Sequence, residues 1–364
     1  MTHRILPILF IFSFLGNNLQ AQEKQAWSFG ANPYYGSVMR YKKEQPKLNF
    51  PGFYGLELYG QKITNGKRRW ERMYNYPHLG LSLEYYNFGV PDELGEAVMA
   101  TTYLDFTFNR HNRSQFRANI GAGLVYSSKT YDLEDNPGNI AVSTPISYVL
   151  RATLHYEMPL SPKMFVNLNV SYRHYSNGRW DMPNNGMNFP LMGIGIRYLP
   201  HAPKIDYLKD TSKTYDRLVH FNLMASTSWR QVWKEDYPHR AYTVSSYFSK
   251  QVSKYNAILL GVDYFKYDEE SVIRAVNTVP NPPENYSTDG TQVAITMGGE
   301  LYLGQLWIIV QAGIYVYEPA DISRNWYQRY GIKYLVTKDL FLNVNLKTHS
   351  RTADMMEFGL GVKI

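Results

Sequence analysis

Hydrophobic and polar residues alternate along most of the chain after residue 21, and clusters of Gly, Pro, Asn and Asp separate the alternating segments. Alternation with a period of two predicts strands with two unlike faces, joined by turns. In the first half, strands are expected at 27–40, 53–63, 78–88, 98–108, 116–127, 147–158, 165–176 and 188–199. About eight more are expected between residues 218 and 364. No helix of normal length is predicted, so the fold class is all-β.

The length and alternation of these strands are typical of a transmembrane β-barrel. Such strands need only about ten residues each to cross a bilayer. After residue 21, no apolar run reaches the roughly twenty residues that a spanning helix requires. The 32 Tyr, 7 Trp and 17 Phe suit the aromatic girdles that barrels carry at both membrane interfaces. We therefore expect an antiparallel transmembrane barrel, with a soluble periplasmic β protein as the alternative.

The two halves of the chain resemble each other. The sequence FVNLNV at 165–170 recurs as FLNVNL at 341–346, and GIGIRY at 193–198 recurs as GLGVKI at 359–364. Eight strands make the smallest common transmembrane barrel, and each half has about that number. We predict two tandem eight-stranded barrels in residues 22–200 and 217–364, joined by a charged, proline-containing linker at 201–216. One barrel of about sixteen strands is the alternative.

The first 21 residues have a basic start, an apolar run at 5–15 and a small residue, Ala21, at the exit. This pattern predicts a cleaved secretory signal peptide. Together with a barrel, it predicts the outer membrane of a Gram-negative bacterium. The absence of cysteine excludes disulfides, a thiol nucleophile and thiolate metal sites. No phosphate-binding loop or nucleic-acid-binding pattern is found, so membrane lipids, not nucleic acids, are the expected partners. The net charge of +7 adds little, because loops and lumen can carry it.

Candidate catalytic residues lie at the end of the seventh strand. The alternation that points Leu168 outward also points His174 and Ser176 outward, where polar residues are unusual in a barrel. In the eighth strand the same parity carries Asn188 outward. The connecting turn has its midpoint near Asp181, which sets His174 directly across from Asn188 at about 5 Å. The three polar side chains are therefore expected to converge on the lipid-facing surface.

This arrangement suits acyl transfer. Ser176 is the candidate nucleophile, His174 the general base and Asn188 the group that orients the imidazole. An amide oxygen accepts a hydrogen bond but has no negative charge, so it stabilises an imidazolium less than a carboxylate does. The backbone N–H groups of Asn177 and Gly178, and the Asn177 side chain, are candidate oxyanion and substrate-binding donors. With the N-terminus in the periplasm, the site lies at the outer end of the barrel, against the acyl region of outer-leaflet lipid.

The segments HYSN at 174–177 and PNNG at 183–186 resemble the PagL-type lipid A 3-O-deacylases, also called acyloxyacyl hydrolases, which are eight-stranded outer-membrane barrels. The similarity covers residues 26–200. It implies His174 as the base and Ser176 as the nucleophile, and the family's acidic third member falls on Asn188. That departure bears on rate and substrate, not on reaction type. We expect a carboxylic ester hydrolase that removes an ester-linked acyl chain from lipid A without a cofactor.

The segment HYSNGR at 174–179, with Asp181 and Asn188, is also similar to outer-membrane phospholipase A, whose catalytic set is Ser, His and Asn. In that family the Arg and Asp positions lie near a calcium site, so calcium near Arg179 and Asp181 belongs to this alternative. It ranks second because that family's barrel has twelve strands in one domain. A third interpretation is a non-enzymatic barrel, either a pore or a structural protein. A homodimer is compatible with all three.

The second half is predicted to be non-catalytic. Alignment of the two halves puts Ser350 opposite His174 and Thr352 opposite Ser176, so the base is missing. His349 has the lumen-facing parity of Arg173. The acidic and proline-rich segment 268–289 is expected to be a long extracellular loop.

Overall fold

The computed structural model describes residues 26–39, 52–232, 237–278 and 284–364. The predicted signal peptide at 1–21 lies outside the described residues. A search of the described helices for one long and apolar enough to cross a membrane finds none.

Eight antiparallel strands form a first closed barrel, which we call barrel 1. They are β1 (Trp27–Gly36), β2 (Phe53–Lys62), β3 (His78–Asn87), β4 (Glu96–Thr107), β5 (Gln115–Ser127), β6 (Ile146–Pro159), β7 (Met164–Ser176) and β8 (Met187–Tyr198). A short helix, α1 (Arg69–Met73), lies between β2 and β3. The predicted strands are confirmed with shifts of one or two residues at most ends. The exception is β1, which ends at Gly36, before the predicted end at residue 40.

A second closed barrel, barrel 2, has eight further strands. They are β9 (Val219–Arg230), β10 (His239–Gln251), β11 (Asn256–Tyr267), β12 (Thr291–Leu303), β13 (Leu306–Tyr317), β14 (Trp326–Leu335), β15 (Leu340–His349) and β16 (Thr352–Lys363). Helix α2 (Glu269–Asn277) lies between β11 and β12, inside the segment expected to be a loop. Strand β8 pairs back to β1, and β16 pairs back to β9. The alternative of one barrel of about sixteen strands is therefore wrong.

The outer surfaces of both barrels are apolar and exposed, as a membrane-spanning barrel requires. Representative outward side chains that are about half exposed or more are Leu58, Leu83, Ile120, Leu154, Ile194, Ile258, Leu260, Ile295, Ile314 and Leu360. An exposed apolar surface that encircles a barrel is stable when lipid covers it.

The interiors are polar and packed. Among the described strand residues, barrel 1 buries four arginines and four carboxylates: Arg117, Arg151, Arg173, Arg197, Glu57, Glu84, Asp105 and Glu157. Barrel 2 buries four Arg or Lys side chains and four carboxylates as well: Arg230, Arg329, Lys333, Lys347, Asp263, Glu300, Asp354 and Glu357. Opposite charges pair across each lumen, for example Arg173 with Glu84 at 2.8 Å and Arg329 with Glu357 at 2.7 Å. An eight-stranded barrel is just wide enough for side chains to fill it, so these interiors are cores and not channels.

The odd-numbered strands of both barrels end at what we call the outer end. The barrels touch at both ends. At the outer end the rings of Trp180 and Trp229 lie 5.3 Å apart, and at the inner end those of Tyr74 and Tyr255 lie 5.4 Å apart. The segment between β8 and β9 joins the inner ends, where Asp210 pairs with Arg69 of α1 at 3.2 Å. Like ends of the two barrels therefore lie together.

Candidate active site

Strand β7 carries an outward row that changes from apolar to polar at its outer end. Leu168, Val170 and Tyr172 are exposed, and His174 and Ser176 follow on the same face half-buried. The alternating residues face inward and are buried. The predicted parity of the strand is confirmed, and it sets two polar side chains at the outer end of the apolar wall.

The predicted pairing of His174 with Asn188 is confirmed by the register of β7 and β8. Nδ1 of His174 and Oδ1 of Asn188 lie 2.8 Å apart. An amide oxygen only accepts hydrogen bonds, so Nδ1 of the ring donates. In a neutral imidazole the lone pair then lies on Nε2, which is the form a general base requires. The amide oxygen therefore selects the tautomer.

The Asn188 amide is itself held by Tyr172. The hydroxyl of Tyr172 donates to Oδ1 of Asn188 at 2.7 Å, so this oxygen accepts from two donors at once. Two donors on one oxygen keep the amide from presenting its NH₂ group to the ring. The sequence analysis did not identify this contact, although the position of Tyr172 two residues before His174 on the same face was the available signal.

Ser176 lies beside the imidazole near Gly186. A Cβ atom at Gly186 would meet Cε1 of His174 at 3.2 Å and Cβ of Ser176 at 3.4 Å, so both side chains border one small space. Gly186 also has a φ of +71°, which glycine adopts without the cost of a side chain. The hydroxyl of Ser176 makes no hydrogen bond to the described residues. The candidate base and the candidate nucleophile thus border the same space without a direct hydrogen bond, an arrangement that is common in free enzymes.

Inward aromatic residues fix the two strands at this level. Tyr175, between His174 and Ser176, and Phe189, next to Asn188, are almost completely buried. Their rings are 6.1 Å apart, and Phe189 also packs on Phe53 at 5.5 Å. These residues belong to an apolar cluster that closes the outer end of barrel 1. The site residues therefore project from a rigid support.

Asn177 organises the loop that follows Ser176. Its backbone N–H donates to Oδ1 of Asn184 at 3.2 Å, and its side-chain amide donates to Ser143 and to the carbonyl of Asp181, both at 2.9 Å. Its Oδ1 accepts from the N–H of Arg179 at 3.0 Å. The oxyanion role predicted for Asn177 stays a prediction, and the donors of this residue hold the loop in this structure.

The backbone N–H of Gly178 is unpaired among the described residues, and the residue is closely packed against its neighbours. Its N–H makes no hydrogen bond to the part of the chain that the structure describes, and its φ is +67°. A Cβ here would approach Cγ of Met356 to 2.2 Å, so the backbone of Gly178 lies directly against barrel 2. The position two residues after Ser176 and the unused N–H keep Gly178 a candidate oxyanion donor.

Arg179 and Asp181 face barrel 2 and the loop itself. Nε of Arg179 donates to the carbonyl of Gln231 at 3.0 Å, and the carboxylate of Asp181 accepts from the N–H of Met182 at 3.0 Å. The calcium expected near this pair under the phospholipase interpretation stays a prediction. Among the described residues, the group with ligand atoms close enough to hold a metal lies in barrel 2: His239, Asp268 and Glu270. There Asp268 also caps α2 and Glu270 pairs with Arg274.

The outward surface between the site and the inner end of the barrel is apolar. Its side chains Leu154, Leu168, Val170, Met192 and Ile194 are about half exposed or more. These residues belong to β6, β7 and β8, the strands that carry the site and their neighbour. The candidate nucleophile therefore lies at the outer end of a surface suited to hydrocarbon.

Among the described residues of barrel 2, the positions aligned with the candidate site are arranged differently. Strand β15 ends at His349, and Ser350 lies in a turn with a φ of +61°. The alignment that puts Ser350 opposite His174 therefore places it beyond the strand. The predicted inward direction of His349 agrees with its 2.9 Å hydrogen bond to the hydroxyl of Tyr315 and its position 4.0 Å from Asp354.

Two family models match the chain. The model described as "Lipid A 3-O-deacylase (PagL)" matches residues 15–197, and the one described as "Acyloxyacyl hydrolase, C-terminal domain" matches residues 219–364. These matches cover barrel 1 and barrel 2 respectively. No curated protein matches the sequence.

Several solved structures are similar to the chain. Neisserial surface protein A is 8% identical over 47% of this chain and 96% of its own, with a TM-score of 0.34. The P. putida toluene transporter TodX is 6% identical over 94% and 89%, with a TM-score of 0.19. A mutant of the Rh. blastica porin is 10% identical over 93% and 99%, with a TM-score of 0.18.

Proposed function

Because the chain belongs to the lipid A 3-O-deacylase (PagL) family, we propose that it hydrolyses an ester-linked acyl chain of lipid A in the outer leaflet of the outer membrane, with Ser176, His174 and Asn188 as its catalytic residues. The observation that carries the proposal is the 2.8 Å hydrogen bond between Nδ1 of His174 and Oδ1 of Asn188. It lies on the lipid-facing side of β7, two residues from Ser176.

Ester cleavage follows from these roles. Oγ of Ser176 bonds to the ester carbonyl carbon while its proton passes to Nε2 of His174. The bond to the sugar oxygen then breaks, and that oxygen takes the proton from His174. Water repeats the sequence on the acyl-enzyme and releases the fatty acid. Asn188 and Tyr172 hold the ring in one orientation through both steps.

The oxyanion is proposed to bind the N–H of Gly178. The donors of Asn177 hold the loop, whereas the N–H of Gly178 has no partner among the described residues. A preorganised donor of this kind contributes about 2.7–4 kcal/mol of transition-state stabilisation. The acyl chain of the substrate would lie along the exposed apolar surface of β6, β7 and β8.

Phospholipid hydrolysis is the second candidate. The observation that favours it is the amide at position 188, because the outer-membrane phospholipase set described above is also Ser, His and Asn. Both candidate functions use Ser176 as the nucleophile. They differ in the lipid that is cleaved and in whether calcium is required. One experiment therefore separates them.

The test is mass spectrometry of lipid A and of phospholipids after incubation with the refolded protein, with and without calcium. We expect the parent to remove one acyl chain from lipid A, and Ser176→Ala to be slower by at least about a thousand-fold. The matched control is Thr352→Ala, at the aligned position of barrel 2, which should match the parent. Calcium-dependent lysophospholipid would favour the phospholipase. Equal lipid A hydrolysis by parent and Ser176→Ala would contradict the proposed catalytic residues.

A further inference from the structure

The loop after Ser176 is bonded to barrel 2 as well as to its own barrel. The N–H of Gln231, just beyond β9, donates to the carbonyl of Arg179 at 2.9 Å, and Nε of Arg179 donates back to the carbonyl of Gln231 at 3.0 Å. The side-chain oxygen of Gln231 accepts from the N–H of Met182. Three hydrogen bonds therefore join residues 179–182 to one residue of barrel 2.

Packing reinforces these bonds. Trp180 lies against Trp229 with ring centroids 5.3 Å apart, and Gly178 lies under the side chain of Met356. A guanidinium nitrogen of Arg179 lies 3.9 Å from the carboxylate of Asp354. We call the contact of residues 178–182 with these barrel 2 residues the rim junction.

The rim junction rests on a buried part of barrel 2. Arg230, which precedes Gln231, pairs with Asp354 at 2.6 Å, and Lys347 pairs with the same carboxylate at 2.9 Å. All three side chains are buried. Gln231 is therefore attached directly to the charged core of its barrel, and its position is fixed by that core.

Residues 177–186, which connect β7 to β8 and which we call the catalytic loop, are held by contacts with both barrels. Its second half is held by barrel 1, since the N–H groups of Asn185 and Gly186 donate to the carbonyls of Ile140 and Ala141 at 3.2 and 3.0 Å. Asn177 also donates to Ser143 of barrel 1 at 2.9 Å, whereas Gly178 and Arg179 have their contacts outside the loop with barrel 2. Barrel closure needs neither set, because all eight strands of barrel 1 pair without the loop.

We propose that barrel 2 positions the catalytic loop, with Gln231 as the positioning residue that holds Gly178 at the oxyanion side of Ser176. This inference rests on the proposed hydrolysis for its kinetic consequence. It gives the second barrel a role without a catalytic residue of its own. A displacement of about 1 Å in a reacting group can lower a rate by about a hundred-fold. Loss of the contacts that fix the position of this loop should therefore lower kcat.

The kinetic test compares Gln231→Leu, which removes the acceptor, with Gln231→Glu, which keeps an oxygen for the N–H of Met182. On purified lipid A in detergent micelles, we expect Gln231→Leu to lower kcat by about ten-fold or more with KM nearly unchanged. Gln231→Glu should retain most of the parental kcat. The value of kcat is calculated per folded protein, because loss of folded protein alone would also lower the apparent kcat without changing KM.

The matched control is Gln328→Leu. The side-chain oxygen of Gln328 also accepts from a backbone N–H of a rim turn, that of Ser350 at 3.0 Å, but this turn belongs to barrel 2 itself. This variant should hydrolyse lipid A like the parent. An equal fall in kcat for Gln328→Leu and Gln231→Leu would overturn the proposal, because the effect would then come from general loosening of barrel 2.

A second readout does not depend on activity. The chain has no cysteine, so Met182→Cys provides a single attachment point for a nitroxide label. We expect the electron paramagnetic resonance spectrum of the label to show restricted motion in the parent and in Gln328→Leu, and faster motion in Gln231→Leu. Unchanged motion in Gln231→Leu would overturn the proposal. If the parent fails to hydrolyse lipid A, the proposed function fails while this spectrum still decides the role of Gln231.

Discussion

Barrel 1 and barrel 2 have the same architecture and different outer rims. Each has eight antiparallel strands, and each buries four Arg or Lys side chains and four carboxylates among its described strand residues. In each, a fully buried arginine donates to a fully buried glutamate: Arg173 to Glu84 and Arg329 to Glu357. The lumen chemistry is therefore common to both barrels and does not distinguish the one with the candidate site.

The last hairpin is where the two barrels differ. In barrel 1, residues 177–186 connect β7 to β8, whereas in barrel 2 only Ser350 and Arg351 connect β15 to β16. The long loop leaves room for His174 and Ser176 on the strand and for Gly178 beyond it. The short turn ends β15 at His349, which points inward to Tyr315. The barrel fold therefore positions the strands, whereas the candidate chemistry depends on the loop that connects the last two strands at the outer end.

The largest expected effect tests what the barrels share. Glu84→Ala in barrel 1 removes a carboxylate partner from both Arg173 and Arg151. Glu357→Ala in barrel 2 removes one from Arg329, which keeps its pair with Asp263. Loss of one partner of a buried pair lowers the free energy of unfolding by about 3–5 kcal/mol. We expect a loss of this size in Glu357→Ala and at least as large a loss in Glu84→Ala, measured by urea unfolding in detergent with tryptophan fluorescence.

The control for these variants is Lys338→Ala, which removes an exposed charge 3.8 Å from Asp339. An exposed pair of this kind contributes at most about 1 kcal/mol, so the control should unfold like the parent. A large loss for Glu84→Ala with almost none for Glu357→Ala would contradict the view that the two interiors are equivalent.

The strands were predictable because the barrel has only two environments. Outward side chains face lipid and inward side chains face a polar core. Apolar and polar residues therefore alternate along strands such as β7, and this alternation predicts the ends of β7 to within one residue. Closure into two barrels followed from the repeat of the 165–170 pattern at 341–346. Helix α2 was missed because it is short and its N-cap residue, Asp268, opens a segment rich in turn formers.

The candidate site was predictable only as far as it is local. The pairing of His174 with Asn188 follows from parity and from the position of the turn, and both can be read from the sequence. The contacts of Gly178 and Arg179 with barrel 2 join residues about fifty or more positions apart, as in the bond from Arg179 to Gln231. No periodicity in the sequence encodes how two closed barrels approach each other, so that part required the structure.

A smaller effect tests Asn188, which lies opposite the candidate base His174 in barrel 1. Asn188→Leu removes the acceptor from Nδ1 of His174, so the ring loses its fixed tautomer and orientation. We expect kcat for lipid A hydrolysis to fall by roughly a hundred-fold, within the range of general-base contributions. Asn188→Asp restores an acceptor at the same place and should recover most of the rate. Parental activity in Asn188→Leu would show that Asn188 does not act through the ring.

The smallest expected effect concerns Tyr172, whose hydroxyl donates to the same oxygen of Asn188. Tyr172→Phe removes one neutral hydrogen bond, which contributes about 0.5–1.5 kcal/mol, so kcat should fall by roughly two- to ten-fold with the barrel equally stable. The matched control is Tyr330→Phe in barrel 2, an outward tyrosine of similar exposure, 47% against 41%. Because the effect of Tyr172 passes through Asn188, Tyr172→Phe should add nothing further to Asn188→Leu. Additive losses in the double variant would mean that Tyr172 acts on the lipid directly and not on the amide.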